Sequence, residues 1–131
     1  MSCVLDTDVV IAAINRRDAH HRAAGELIRE LRGILLLSLV NYAEVLVQPA
    51  QEEGTLEDTL AVMDGLELEL VAPTAAIATD AVRMRAFGVS LADGFAMATA
   101  RARNATLATF DRRVWRALGA AGLELAPMIA V

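Results

Sequence analysis

An α/β fold with a central parallel sheet, covered by helices on both faces, is what this sequence predicts. Three observations predict it. Short apolar runs of strand length alternate with longer segments of helical periodicity along the whole chain. Those runs, ILLLS at 34–38 among them, are apolar throughout, as strands buried on both sides require. No internal repeat, low-complexity tract or linker interrupts the 131 residues, so residues 1–131 form one domain long enough for a real core.

The elements follow in order. A strand over 2–6 leads to a helix over about 8–15 (VVIAAI), then a longer helix over about 18–31 that ends near Gly33. The strand at 34–38 feeds a helix over 41–52, which Gly54 separates from a helix over 55–64. A strand over 67–71 stops before Pro73, and a helix over 75–86 stops before Gly88. A helix from about 91 to 103 precedes a strand at 105–109 (ATLAT), a helix over 111–119 and a last strand at 123–126.

Composition narrows the setting. The apolar fraction is 56% and the mean hydropathy +0.44, yet the longest purely apolar runs fall far short of the ~18 residues of a membrane span. MSCVLD has no basic region and meets an acid at position 6, so no signal peptide is expected. The single Cys3 cannot pair within the chain and fits a reducing compartment. A cytoplasmic protein is expected, its surplus apolar surface covered by a partner or a second copy. The net charge of −5 argues mildly against a broad basic face for nucleic acid. All 12 basic residues are arginine, which can still grip phosphates by forked hydrogen bonds.

The placement of the acids carries the chemistry. In VLDTDVVIAAI, Asp6 and Asp8 follow the first strand with only Thr7 between them. Glu44 lies in SLVNYAEVL, in the first helical turn after the second strand; Asp93 opens a helix in SLADGFAMATA; Asp111 follows the fourth strand in LATFDRR. Each has a purely structural explanation. Asn41-x-x-Glu44 and Ser90-x-x-Asp93 have capping-box spacing, and Asp8 and Asp111 suit N-cap positions. The set has another. A parallel sheet gathers the carboxyl ends of its strands along one edge, where ligands of open α/β sheets bind. Carboxylates brought together there repel unless a cation sits between them, and the chain has no lysine to supply charge. Hard oxygen donors without clustered His or Cys point to Mg²⁺, with Mn²⁺ as the alternative, and such ions suit phosphodiester hydrolysis. On this reading Asp6 is a metal ligand and Asp8 a cap or an outer acid.

The four segments VLDTDVVIAAI, SLVNYAEVL, SLADGFAMATA and LATFDRR resemble, in order, spacing and total length, the PIN domain, and within it the VapC-type toxins of bacterial toxin–antitoxin pairs. The resemblance covers essentially the whole chain. It implies a three-layer α/β/α fold, Mg²⁺-dependent endoribonuclease activity on RNA, a small VapB-like antitoxin that wraps the protein, and a homodimer. It carries the acidic site over to Asp6, Glu44, Asp93 and Asp111, and assigns Thr109 to support the last acid. Asp8 departs from the family, which more often has asparagine there.

Other residues bear less weight. Vicinal His20 and His21 point in different directions on a helix, so a shared metal is not expected. Phe110 and Trp115 are expected to pack the last helix onto the sheet, with stacking on a nucleobase as the alternative, and Met63, Met84, Met97 and Met128 to fill the core. Arg112 and Arg113 are the phosphate-binding candidates, and Leu46, Leu56, Leu60 and Met63 a candidate apolar face for a partner. Two other functions compete. Asp6-x-Asp8 also matches the nucleophile motif of haloacid-dehalogenase-like phosphatases, but that family's later lysine and paired acids are missing here. A non-catalytic α/β interaction module would need none of the four acids beyond their caps.

Overall fold

The computed structural model describes residues 2–31 and 34–130, the side chains of Met128 and Ala130 excepted. The expected helix stop at Gly33 and the core role of Met128 lie outside that description. Four strands, β1 (Cys3–Leu5), β2 (Leu35–Ser38), β3 (Glu69–Val71) and β4 (Thr106–Ala108), form one parallel sheet in the order β3-β2-β1-β4. The helices are α1 (Thr7–Ile14), α2 (His21–Leu31), α3 (Leu39–Val47), α4 (Thr55–Gly65), α5 (Ala75–Met84), α6 (Leu91–Arg103), α7 (Arg112–Ala121) and α8 (Pro127–Ala130).

Three layers follow from the alternation of side chains along the strands. Cys3 and Leu5 of β1, with Leu35 and Leu37 of β2, join one core with Val9, Val10, Leu27, Ile28 and Val45 from α1, α2 and α3. Val4 and Leu36 point the other way, into a second core with Met84, Met97, Val114 and Leu118 from α5, α6 and α7. Strands this short are held by burial on both faces; all of β1, β2 and β4 is inaccessible to solvent or nearly so. Met63, Met84, Met97 and the free Cys3 are buried, as expected of core residues. No helix among the described residues is long and apolar enough to cross a membrane.

Several boundaries move, each for a local reason. Ser38, not Asn41, caps α3: its hydroxyl accepts the Val40 N–H at 3.3 Å, so the helix starts at Leu39 and Glu44 falls in its second turn. Pro49 ends the same helix early and opens a 3-10 turn over Pro49–Gln51. The helix expected from 18 begins at His21, because the Asp18 carboxylate accepts the His20 N–H and holds a turn. The last strand over 123–126 is reduced to one parallel bridge, Leu107 with Leu125, and the chain then turns into the short α8. Gly94 on α6 is required by close packing. A Cβ there would stand 2.5 Å from the Ala81 carbonyl oxygen on α5, so only glycine lets the two helices meet.

Candidate metal centre

The site begins where β1 ends. The Asp6 N–H donates to the Ala108 carbonyl at 2.9 Å, continuing the pairing of β1 with β4. The chain then turns, and the Asp6 carboxylate accepts the Thr7 N–H at 2.9 Å as the N-cap of α1. Asp8, two residues on, sits in the first turn of α1 and is not its cap. Its carboxylate instead accepts the Phe110 N–H at 2.9 Å, across from the segment after β4. Thr109, fully buried, donates its hydroxyl to Asp6 Oδ2 at 2.9 Å and accepts the Asp111 N–H at 3.2 Å. The stretch Thr109–Asp111 is therefore a cradle of donors for the two aspartates of the opening motif.

Asp6 is 3% exposed. Burial first, then the charges of Asp8 and Asp93, push its carboxyl up to about 8, against the Thr109 hydroxyl and the Thr7 N–H, which favour the carboxylate. Asp8 is raised as well, chiefly by burial, with the Asp111 charge adding to it and the Phe110 and Val9 N–H groups opposing. Asp93 opens α6 in a complete capping box: its N–H donates to Ser90 Oγ at 3.1 Å, and its carboxylate accepts the Ser90 N–H at 3.3 Å. Capping and proximity to Asp6 coexist in the same side chain.

Glu44 and Asp111 stand further out, each with a partner of its own. Glu44 Oε1 accepts the Thr7 hydroxyl, whose oxygen in turn accepts the Asn41 amide at 3.1 Å. Asp111 caps α7 through the Arg113 N–H at 2.9 Å, and the Arg113 guanidinium grips it at 3.0 and 3.3 Å. That hydrogen bond, before any other cause, holds the Asp111 carboxyl below the ordinary carboxylate range. Among the described residues no three His, Cys, Asp or Glu side chains converge on one point in the manner of ligands around an ion. Asp6 feels the charges of Asp8 and Asp93, Asp8 feels that of Asp111, and Glu44 is linked to the motif through Thr7. The donor set still fits a hard divalent cation: it is all oxygen, and its innermost member is a buried carboxyl that bears its charge only at a cost in the absence of a counter-charge.

Two residues were hidden by local explanations. Asn41 reads as a cap in the sequence, yet it is fully buried inside α3, donating to Thr7 Oγ1 at 3.1 Å and to the Ala92 carbonyl at 3.2 Å, beside Asp93. Its Oδ1 has no hydrogen-bond partner among the described residues. Thr7 reads as a spacer and is the link between Asn41 and Glu44. The histidines diverge as expected. The His21 ring nitrogen Nδ1 lies 2.7 Å from the Ala12 carbonyl at the end of α1, while the His20 ring stacks on Phe110. Trp115 packs at the edge of the core and donates its indole N–H to the Thr109 carbonyl, and Arg112 lies over its ring.

The sequence matches the PIN domain family over residues 3–120. This chain is a PIN domain. No curated protein matches it by sequence, but solved structures share its fold. VapC20 of Mycobacterium tuberculosis, a sarcin-ricin loop cleaving toxin, has a TM-score of 0.76 at 20% identity, over 95% of this chain and 98% of that one. VapBC2 of Rickettsia felis, bound to a DNA fragment from its promoter, has a TM-score of 0.73 at 21% identity, over 96% and 98%. FitAcB of Neisseria gonorrhoeae has a TM-score of 0.72 at 18% identity, over 98% and 99%. At these identities the likeness is one of fold. The family match replaces the phosphatase alternative for Asp6 and Asp8.

Proposed function

We propose that this PIN domain is a divalent-cation-dependent endoribonuclease and the toxin of a VapBC-like toxin–antitoxin pair. One observation carries the reading. Asp6 is buried at the carboxyl edge of the sheet under the charges of Asp8 and Asp93, while Arg113, the cation bound at that edge, is engaged by Asp111. A carboxylate in that position calls for an external cation.

Asp6, Glu44, Asp93 and Asp111 are the proposed ligands of Mg²⁺ or Mn²⁺, with Asp8 outside them. When bound, the cation supplies activated water and charge neutralisation at the scissile phosphodiester. The chain's own residues prepare that chemistry. Thr109 fixes one oxygen of Asp6 and the Thr7 N–H the other; Asn41 ties Thr7 to the backbone beside Asp93; Arg112 and Arg113 are exposed for the flanking phosphates. RNA is the favoured substrate class because VapC20, a neighbour in fold, is a sarcin-ricin loop cleaving toxin.

An antitoxin partner fits a second feature. A cleft of about 740 Å³ between the end of α1, the end of α3 and the start of α4 is lined by Ile11, Ile14, Val47, Thr55, Glu52 and Glu44. Its apolar walls suit an inserted segment, and because Arg16 and Arg17 share the lining with Glu44 and Glu52, that segment would carry charges of both signs. Of the expected apolar face, Met63 belongs to the core and Leu46, Leu56 and Leu60 are half-buried, whereas Val47 and Val62, outside that expectation, are exposed. A homodimer, covering the exposed Leu39, Phe87 and Leu91, completes the proposal.

The test is to incubate the purified protein with RNA and Mn²⁺ and map the product ends. Attack by water leaves a 5′-phosphate and a 3′-hydroxyl. Products ending in 2′,3′-cyclic phosphate, or cleavage that persists in EDTA, would sink the reading.

A further inference from the structure

Beside the acidic edge lies an aromatic pair that the hydrolytic reading does not use. The rings of His20 and Phe110 stack with centroids 4.2 Å apart and planes 11° from parallel. Phe110 stands between Thr109, which holds Asp6, and Asp111, and its own N–H donates to Asp8. The ring is thus anchored to the acids by its own backbone. It is half-buried and packs at the rim of the core, whereas His20 is exposed. The loop carrying His20 is pinned on both sides of the ring: the His20 N–H donates to Asp18 Oδ1 at 2.8 Å, and the His21 ring meets the Ala12 carbonyl.

We infer that His20 and Phe110 form a stacking subsite for one nucleobase next to the scissile phosphate, the base lying on the imidazole face turned away from Phe110. The inference rests on the nuclease reading and adds to it where the substrate's base goes. Two parallel rings already at stacking distance extend to a third without rearrangement, and a pinned loop has little order left to lose on binding. A base offers a π-face whatever its identity, so such a platform holds single-stranded RNA without reading its sequence. Next to the rings, Arg112 and Arg113 are exposed on the first turn of α7, where a phosphate following the stacked base would need a charge. A protein of net charge −5 gains from a contact that is not electrostatic.

The experiment compares a short single-stranded oligoadenylate with its abasic counterpart, which keeps the phosphates and removes the bases. Affinities are measured in an Asp93→Asn background that suppresses cutting, with His20→Ala and His20→Trp added, and melting curves confirm that each variant is folded. His20→Ala is expected to weaken oligoadenylate binding roughly fivefold to a hundredfold, the range of one lost base stack. His20→Trp is expected to retain it, and neither should alter binding of the abasic strand. On an RNA that the otherwise unaltered protein cuts, the His20→Ala loss should fall on KM. Equal losses on both strands, or a His20→Trp protein as weak as His20→Ala, would overturn the subsite. An unchanged KM in a protein that cuts RNA overturns the subsite alone. A chain that neither binds the strand nor cuts RNA in Mn²⁺ overturns the nuclease reading, and the subsite with it.

Discussion

Asp6 and Asp111 occupy equivalent places: each follows one of two adjacent parallel strands, and each caps the helix that comes next. Local sequence rules treat them alike. Their electrostatics are opposite. Asp6 is sealed against Thr109 and faces other acids, so its carboxyl is pushed up to about 8. Asp111 stands at the surface with Arg113 wrapped onto it, and its carboxyl is held low. Capping and site chemistry are therefore not rival explanations of an acid after a strand. Burial and the sign of the neighbouring charge separate an acid whose charged form is disfavoured from one whose charged form is stabilised.

The largest expected difference between the two is in catalysis. Asp6→Asn keeps an N-cap acceptor for the Thr7 N–H and can still bond Thr109, so the fold should survive. Cleavage should nevertheless fall by on the order of 10³-fold or more, because the innermost charge for the cation is gone. Asp111→Asn should cost markedly less. Single-turnover assays on one RNA with both variants check this, and equal losses would mean that the burial contrast has no functional meaning. Next in size is metal linkage. Saturating Mn²⁺ should raise the melting temperature of the unaltered protein, and Asp93→Asn should weaken that response while leaving the metal-free protein as stable or more so. A substitution that left the Mn²⁺ response untouched would reduce Asp93 to its capping box.

A third expectation concerns pH, and the sign follows from the raised carboxyl. The unfolded chain releases the Asp6 proton near the ordinary value of about 4, while the folded chain keeps it until about 8. Between those values the folded state binds more protons, so metal-free stability should fall as pH rises through the window and level off above it. Asp8, also raised, acts in the same direction. Mn²⁺ competes with that proton, so its stabilising effect should grow over the same range. Thermal melts across pH with and without Mn²⁺, repeated on Asp6→Asn, check the sign; a slope that survives the substitution would assign it to other groups.

How much of this was legible in the sequence divides along the same line. The parallel sheet can be read because strands buried on both faces are nearly continuous apolar runs, as LLLS and CVL are; the edge strand β3, with Glu69 and Leu70 exposed, carries that signal only weakly. The fifth strand could not be: LELA has the composition of one, but it meets β4 at a single bridge, where the Leu107 N–H donates to the Glu124 carbonyl and the Leu107 carbonyl accepts the Ala126 N–H. The acids at the carboxyl edge were legible as a set, since topology alone gathers them there. Their individual states were not. Whether an acid is buried beside its own kind or paired with arginine depends on side chains brought from elsewhere, as Thr109 is brought to Asp6. Asn41 shows the limit most clearly. Its spacing to Glu44 offered a local role as a cap, and Ser38 takes that role, leaving the Asn41 amide to bridge Thr7 and the start of α6.

The smallest expected effect tests the other half of the contrast. Arg113 is mostly exposed, and its ion pair with Asp111 lies at the surface, where water and salt screen it. Arg113→Ala should therefore change thermal stability little. It should change Asp111 itself, because the hydrogen bond from Arg113 is the first cause of that carboxyl's low value. Freed of the guanidinium, the carboxyl should titrate at a higher pH, toward the ordinary range, which carboxyl NMR resonances would follow directly. The sign for stability is the reverse of that for Asp6. A carboxyl held low in the fold stabilises above its unfolded value, and that contribution is lost as pH falls through the folded one. Arg113→Ala should thus flatten the acid limb of the stability curve and leave the slope between about 4 and 8, which belongs to Asp6, in place. If both limbs changed together, Asp6 and Asp111 would be parts of one titrating cluster, and the contrast between an acid raised by burial and one held low by arginine would fail.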